Sequence, residues 1–363
     1  MIEQILQIIP TPPNSSDGIG DYALLLATQL LQDFQVDTQF LVFRNDIEVV
    51  PVVNGFSMAQ LPSHQPEIFC SCIPTNIRVI IVHFSGYPYF NTSLKGIFGA
   101  DTPFWFIDAL QAVIKNHQLK LIVMFHELPK LHWKQFYLFD FLNPIQSIVS
   151  RRLARMADTV LTSSTKYQAI LSEWLGRKVI RIFIFSNMGE PPSITPLVAR
   201  QRRLIIFGGS ARSRIYQNHF KVLIQSCKLL EIKEIYDVGP PLKLPKLPSS
   251  EINLVERGYC SQTEISQLMM TSLAGCLDYS PFPGNLGKSG AFAAYCAHGI
   301  LPILTRYNPS ETNGLCMNQH YLVLGSKLDK SSLDRTQIIA NKAYEWYQDH
   351  TLKEIAKIFH SYI

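Results

Sequence analysis

Along the chain, short runs of Ile, Val, Leu and Phe alternate with longer segments whose apolar residues recur every three to four positions. A short apolar run without period-two alternation reads as a strand buried on both faces, and spacing of three and four reads as a helix with one buried stripe. On that basis Ile5–Ile9, Val36–Phe43, Val79–Phe84, Leu119–Phe125, Thr159–Thr162 and Val179–Phe185 are expected as strands. Tyr22–Leu31, Pro103–Lys115, Ile145–Met156 and Thr165–Leu175 are expected as helices. Hairpin signals between the strands are few. The order strand, helix, strand, helix predicts a parallel sheet covered by helices.

The pattern breaks at Asn187-Met188-Gly189-Glu190-Pro191-Pro192, with Pro196 close behind, and then restarts. Strands are expected at Leu204–Phe207, Glu234–Val238, Ala274–Leu277 and Ile300–Leu304, and helices at Asn218–Leu230, Glu264–Met270 and Ser289–Ala297. Pro240–Pro248 reads as an inserted surface loop, and the tail from Gln337 to Ile363 as helix broken near His350-Thr351. The expected fold class is α/β, with two Rossmann-like parallel-sheet domains facing each other across a cleft. The first takes residues 1–190 and the second 200–335, and the C-terminal helices of 336–363 pack back on the first. Ligands of such sheets sit at the carboxyl ends of the strands, so the cleft is the expected site.

Composition narrows the function classes. At roughly 150 residues per domain, 363 residues make two to three domains. An apolar share of 47% and a mean hydropathy of +0.08 exclude a disordered chain. The net charge of +5 is spread thinly and argues for no nucleic-acid partner. It suits an anionic small-molecule ligand, or weak peripheral contact with an anionic membrane surface. Seven scattered cysteines, with Cys70-Ser71-Cys72 the one close pair, lack the spacing of a zinc or redox motif and read as reduced thiols. Met1-Ile2-Glu3-Gln4 lacks a basic leader, and no run approaches the roughly eighteen apolar residues a membrane span needs. A cytoplasmic location follows, peripheral to the inner face of the membrane at most.

Four places carry candidate chemistry. The first strand opens through Thr11-Pro12-Pro13-Asn14-Ser15-Ser16-Asp17-Gly18-Ile19-Gly20-Asp21-Tyr22 into a helix. Glycines there let backbone approach a ligand, and free N–H groups at a helix start favour an anion. Formally, Gly18-x-Gly20-x-x-Ala23 also matches a dinucleotide fingerprint, although the second strand runs into Arg44-Asn45-Asp46 without a cleanly placed acid. Two histidines close neighbouring strands: His83 after Val79–Val82, and His126 beside Glu127 after Leu119–Phe125. His126 is suited to hydrogen-bond a phosphate or a sugar hydroxyl, with Glu127 orienting it. Gly208-Gly209-Ser210 followed by Arg212 and Arg214 combines a glycine turn with forked cations, suited to a diphosphate. Gly287-Lys288-Ser289-Gly290 puts a lysine at a helix start, but position 282 is Phe282, so it is no P-loop. No third ligand keeps strand or helix spacing with the histidines, so no metal site is expected.

In this order the motifs resemble the GT-B glycosyltransferases, the retaining group that uses nucleotide-diphospho-sugars. Asp17-Gly18-Ile19-Gly20-Asp21-Tyr22 is similar to their N-terminal glycine loop, and His126-Glu127 to their His-Asp or His-Glu at a strand end. Ala157-Asp158-Thr159-Val160-Leu161-Thr162-Ser163-Ser164 resembles their A-D-x-V-x-T-x-S strand, and Ala293–Leu304 their E-A-x-A-x-G-x-P-V segment. The resemblance implies transfer of a sugar from a nucleotide-diphospho-sugar co-substrate to a saccharide or lipid-linked acceptor, with retention, and without metal or other cofactor. It assigns His126 and Glu127 to catalysis. Gly18, Gly20, Asp21, His83, Gly208, Gly209, Arg212, Arg214, Lys288, Ser289 and Gly290 fall to substrate binding. One departure stands out. Where the family carries two donor-contacting glutamates, this chain has Leu286 and Ala294. The alternatives are a nucleotide-dependent oxidoreductase or epimerase resting on the Gly18–Ala23 fingerprint, and a catalytically impaired homologue acting as a binding subunit.

Overall fold

The computed structural model describes residues 3–15, 18–86, 89, 104–129, 142–245, 251–279, 285–307, 313–326 and 332–363. It divides into two compact units, Met1–Ile182 with Ile355–Ile363, and Phe183–Glu354.

Unit 1 is built on eight strands: β1 (Glu3–Ile9), β2 (Val36–Val42), β3 (Val52–Val53), β4 (Phe56–Gln60), β5 (Val79–Phe84), β6 (Lys120–Phe125), β7 (Thr159–Thr162) and β8 (Ile180–Arg181). Its helices are α1 (Ile19–Phe34), α2 (Pro66–Ser71), α3 (Trp105–His117), α4 (Leu142–Met156) and α5 (Thr165–Leu175). The sheet runs β3-β4-β2-β1-β5-β6-β7-β8. Every pairing is parallel except β3 with β4. The central strands are apolar on both faces because helices cover both. Ile9, Phe40 and Val42 pack with Ala23 and Ala27 of α1. Leu6, Ile8, Ile80, Val82, Leu121 and Val123 face the opposite core, with Phe69, Phe106, Leu153 and Leu171 from α2 to α5.

Two expectations need correcting here. The β3–β4 hairpin was not anticipated, although its turn, Asn54-Gly55, is a strong short-range hairpin signal. Both residues hold positive φ, 51° and 87°. The strand expected over Val179–Phe185 pairs with β7 only at Ile180 and Arg181. Beyond Ile182 the backbone serves unit 2, where the Ile184 N–H donates to the Gly287 carbonyl at 3.0 Å.

Unit 2 carries a second, wholly parallel sheet in the order β11-β10-β9-β12-β13-β14. Its strands are β9 (Gln201–Phe207), β10 (Glu234–Val238), β11 (Asn253–Gly258), β12 (Ser272–Leu277), β13 (Leu301–Leu304) and β14 (Leu322–Val323). Its helices are α6 (Ser213–Leu229), α7 (Gln262–Thr271), α8 (Gly290–Ala297) and α9 (Ser332–Gln348), and α10 (Leu352–His360) runs across the boundary into unit 1. The start of α7 is set by a capping box in which Ser261 accepts from the Glu264 N–H and the Glu264 carboxylate accepts from the Ser261 N–H. The edge strands β11 and β14 escaped the sequence reading. Residues 253–258 are half-buried or exposed, so they carry no continuous apolar run, and β14 is two residues long. Of the Pro240–Pro248 loop, residues 246–248 lie outside the described residues.

Candidate active site

In unit 1 the carboxyl end of the sheet is organised around two histidines. Residues paired across parallel strands point to the same face. Gln7 of β1 pairs with Ile81, and His83 with Met124. Gln7, His83 and His126 therefore step diagonally across three adjacent strands on one face, the face that α1 covers. Gln7 and His83 are fully buried and His126 is nearly so. His83 Nε2 lies 2.7 Å from Gln7 Oε1, and His83 Nδ1 lies 3.1 Å from His126 Nε2. The Tyr22 ring of α1 meets both imidazoles edge-on, at centroid distances of 5.8 and 5.2 Å. The backbone is fixed as well, because the Tyr89 hydroxyl donates to the His83 carbonyl and the His126 N–H donates to the Phe84 carbonyl. Burial pushes the His83 imidazole down to about 3, so it stays neutral across the physiological range.

Sequence adjacency suggested that Glu127 orients His126. In the structure Glu127 is exposed and its Oε2 accepts from the Tyr167 hydroxyl of α5 at 2.6 Å, while the Nε2 side of His126 is held by His83. Asp17 of the glycine loop lies outside the described residues. What the sequence reading missed is Gln7. Its signal was a lone amide within the apolar run Ile5–Ile9.

The glycines of the first loop have local structural causes. Gly18 sits at φ 68° as the residue before α1. A Cβ on Gly20 would stand 2.5 Å from the Pro12 carbonyl carbon, so only glycine lets α1 pack against that loop. Asp21 ties the loop back, its Oδ1 accepting from the Asn14 N–H at 2.7 Å. The fingerprint match to dinucleotide proteins loses its support here. Residues 10–18 separate β1 from α1, where the fingerprint needs a tight turn. After β2, the first acid, Asp46, is paired with Arg44 at 2.6 Å.

In unit 2 the turn after β9 is open at Gly208 and Gly209, where an added Cβ would meet nothing within 4 Å. Arg212 does not project from that turn. Its Nε and Nη2 bind the buried Asp237 carboxylate at 2.6–3.1 Å, and its remaining donors reach the carbonyls of Gly208, Gly209 and Pro240. The Tyr216 hydroxyl completes the cluster on Asp237 Oδ2 at 2.7 Å. Arg212 thus holds the turn in shape, in place of the expected contact with a diphosphate.

Arg214 is half-exposed and docks on Asp278 at 2.7 Å; Arg306 joins the same carboxylate at 3.1 Å, and the Asp278 side chain is 2% exposed. Asp278 follows β12, and Arg306 lies just after β13. These two strand-end residues were missed, although position alone marks them. Burial pushes the Asp278 carboxyl up, but the hydrogen bond donated by the Thr305 hydroxyl, together with Arg214 and Arg306, outweighs it and holds the group below the usual carboxylate range. Lys288 ends a 3-10 turn, and Ser289 caps α8 by accepting from the Phe292 N–H at 3.1 Å, with Gly290 as the first helical residue. Leu286 and Ala294 are fully buried in the core of unit 2. Among the described residues no cluster of His, Cys, Asp or Glu is arranged to hold a metal ion, and no helix is long and apolar enough to cross a membrane.

No family model and no curated protein matches the sequence. Solved structures do match over nearly the whole chain. An alpha-glucosyltransferase in complex with UDP-glucose and DNA superposes with a TM-score of 0.60 at 10% identity, covering 99% of both chains. Anabaena HepE in complex with UDP-glucose gives 0.60 at 10% identity, covering 99% of this chain and 100% of that one. A glycosyltransferase from Rickettsia africae gives 0.59 at 15% identity, covering 99% and 97%. At such identities the likeness is one of fold. It also overturns one expectation, because a protein of this fold is seen with DNA bound. A thinly spread net charge therefore does not exclude nucleic acid as a partner. With two Rossmann-like parallel-sheet units and these neighbours along its full length, the chain has the GT-B fold of the nucleotide-sugar glycosyltransferases.

Proposed function

We propose that the chain is a glycosyltransferase that takes a sugar from a nucleotide-diphospho-sugar, with UDP as the nucleotide. The observation that carries this reading is the buried histidine pair at the carboxyl ends of β5 and β6, the place where sheets of this kind bind ligands. His126 is the catalytic residue: its ring meets the transferred sugar or the departing phosphate and stabilises charge as it develops. Arg214, Arg306 and Lys288 meet the diphosphate. Transfer proceeds with retention. The bond from C1 to the diphosphate oxygen breaks, the acceptor oxygen bonds to C1 on the same face, and its proton passes to the departing phosphate. The acceptor is a saccharide or lipid-linked, and no metal or other cofactor takes part.

The test combines a donor panel with an acceptor panel that includes saccharides, lipid-linked saccharides and DNA. His126→Ala should stay folded, bind UDP as the parent does, and lose about a hundredfold or more in transfer rate. Near-normal turnover in the folded variant defeats the role of His126. One observation favours a second reading, a binding subunit without turnover: Leu286 and Ala294 offer no carboxylate where the resemblance places glutamates. UDP-sugar binding with no transfer or hydrolysis across the panel would favour it.

A further inference from the structure

The sheet of unit 2 reverses its order in the middle. From β9 the chain builds outward to β10 and β11, then places β12 on the other side of β9 and continues to β13 and β14. Where a parallel sheet reverses in this way, the loops after the two central strands part and leave a crevice that takes ligands. Three residues stand at that edge. Arg214 lies in the first turn of α6, which follows β9; Asp278 follows β12, and Arg306 follows β13. The pairing of β12 with β13 ends at Leu277 and Leu304. Beyond it the Thr305 N–H still donates to the Leu277 carbonyl, so Asp278 and Arg306 leave the sheet as neighbours.

One carboxylate serves both arginines. Asp278 Oδ2 accepts from Arg214 Nε at 2.7 Å, and Oδ1 accepts from Arg306 Nη2 at 3.1 Å and from the Thr305 hydroxyl. Arg214 Nη2 also reaches the Asp278 carbonyl at 3.4 Å. The exposures are lopsided: the acid's side chain is 2% exposed and that of each arginine 46%. In the Arg212–Asp237 pair both side chains are buried. Neutralising one carboxylate takes one cation, and here there are two, with a net positive charge. Arg214 Nη1 and Arg306 Nε and Nη1 have no partner among the described residues.

We propose that Asp278 is a positioning residue that holds Arg214 and Arg306 together at the reversal of the sheet as a two-armed clamp for the diphosphate of the nucleotide. This rests on the reading above that the two arginines meet the diphosphate. It adds why a buried acid stands where an anion binds. Two guanidinium groups repel one another, and each loses rotamer freedom when it grips a ligand. A carboxylate between them, one oxygen to each, offsets the repulsion and fixes both side chains before the ligand arrives. The turn at Gly208 and Gly209, where an added Cβ would meet nothing within 4 Å, leaves the same edge open to a phosphate.

Calorimetric titration of the full-length protein with UDP and with uridine tests this. Asp278→Ala should weaken UDP about tenfold, the worth of restraining two mobile side chains, and leave uridine nearly unchanged. Charge alone predicts the opposite sign, since removing an anion beside an anion site favours the ligand. In an Arg214→Ala/Arg306→Ala background the same substitution should do nothing further, because Asp278 acts only through the arginines. Asp278→Asn keeps the shape but turns amide donors toward a guanidinium; it serves if the alanine variant fails to fold, and should weaken UDP alone in the same way. UDP binding that is unchanged or tighter in the folded Asp278 variants overturns the proposal. So do equal losses for UDP and uridine, or a loss that persists in the double-arginine background. In those cases the arginine variants still weaken UDP. If the double-arginine variant itself binds UDP as the parent does, the reading of these cations as diphosphate contacts falls together with the proposal.

Discussion

Replacing Arg212 with alanine separates the two roles that a cation after a glycine turn can have. The Arg212 side chain is 3% exposed and its partner Asp237 is fully buried. Truncation would strand that carboxylate with only the Tyr216 hydroxyl, and would take a donor from the carbonyls of Gly208, Gly209 and Pro240. Removing one partner of a buried ion pair costs about 3–5 kcal/mol. In a unit the size of unit 2, each kcal/mol lowers Tm by about 2–4 °C, so the expected drop is roughly 10 °C. Thermal unfolding followed by circular dichroism measures it, alongside titration with UDP at a temperature where the variant is folded. Arg212→Met with Asp237→Asn removes both charges while leaving an acceptor for Tyr216, and should recover about half of the loss or more. If Arg212→Ala keeps Tm within about 2 °C of the parent and abolishes UDP binding, the arginine is a ligand contact and the structural argument fails.

Two further outcomes follow from the same reasoning. Lys288→Ala should weaken UDP about tenfold, the worth of roughly one charge-assisted hydrogen bond, and leave uridine nearly untouched; calorimetry that finds equal losses for both removes Lys288 from the diphosphate. Glu190 accepts from the Tyr347 hydroxyl and the Leu352 N–H, and burial raises its carboxyl above the ordinary value despite both bonds. A carboxyl raised on folding stabilises the protein below the unfolded value of 4.5 and loses that contribution as pH climbs through the folded value. Glu190→Gln keeps an accepting oxygen without the charge, so its stability relative to the parent should rise as pH climbs above 4.5 in denaturant titrations; a parallel pH profile for the two proteins would refute the linkage.

The strands were legible because both faces of each central strand are covered, which writes burial directly into unbroken apolar runs such as Val79–Phe84 and Thr159–Thr162. The edge strands were not, because half-exposed positions such as those of β11 obey no such rule. His126 could be found from its place at a strand end, and so could His83. Their contact could not, since it depends on register between β5 and β6. Arg212 shows the converse difficulty. Its charge is visible in sequence, but whether it faces outward depends on Asp237, a strand residue 25 positions away. Gln7 looked like an interruption in a hydrophobic run, and only its alignment with His83 gives it meaning.

Unit 1 is not contiguous in the chain, since residues 355–363 belong to it. Ile355, Ala356 and Phe359 are buried, and the His360 ring stacks on Phe34 at the end of α1 with centroids 4.0 Å apart. A ribosome adding about 5–20 residues per second needs on the order of ten seconds to synthesise all of unit 2 after unit 1 has emerged. Throughout that interval residues 1–182 wait with the seat of α10 uncovered, and it closes only when residues 355–363 follow. Removing residues 355–363 should therefore injure unit 1, whose other residues lie more than 170 positions earlier, and newly made chains should need protection at α1 sooner than anywhere in unit 2.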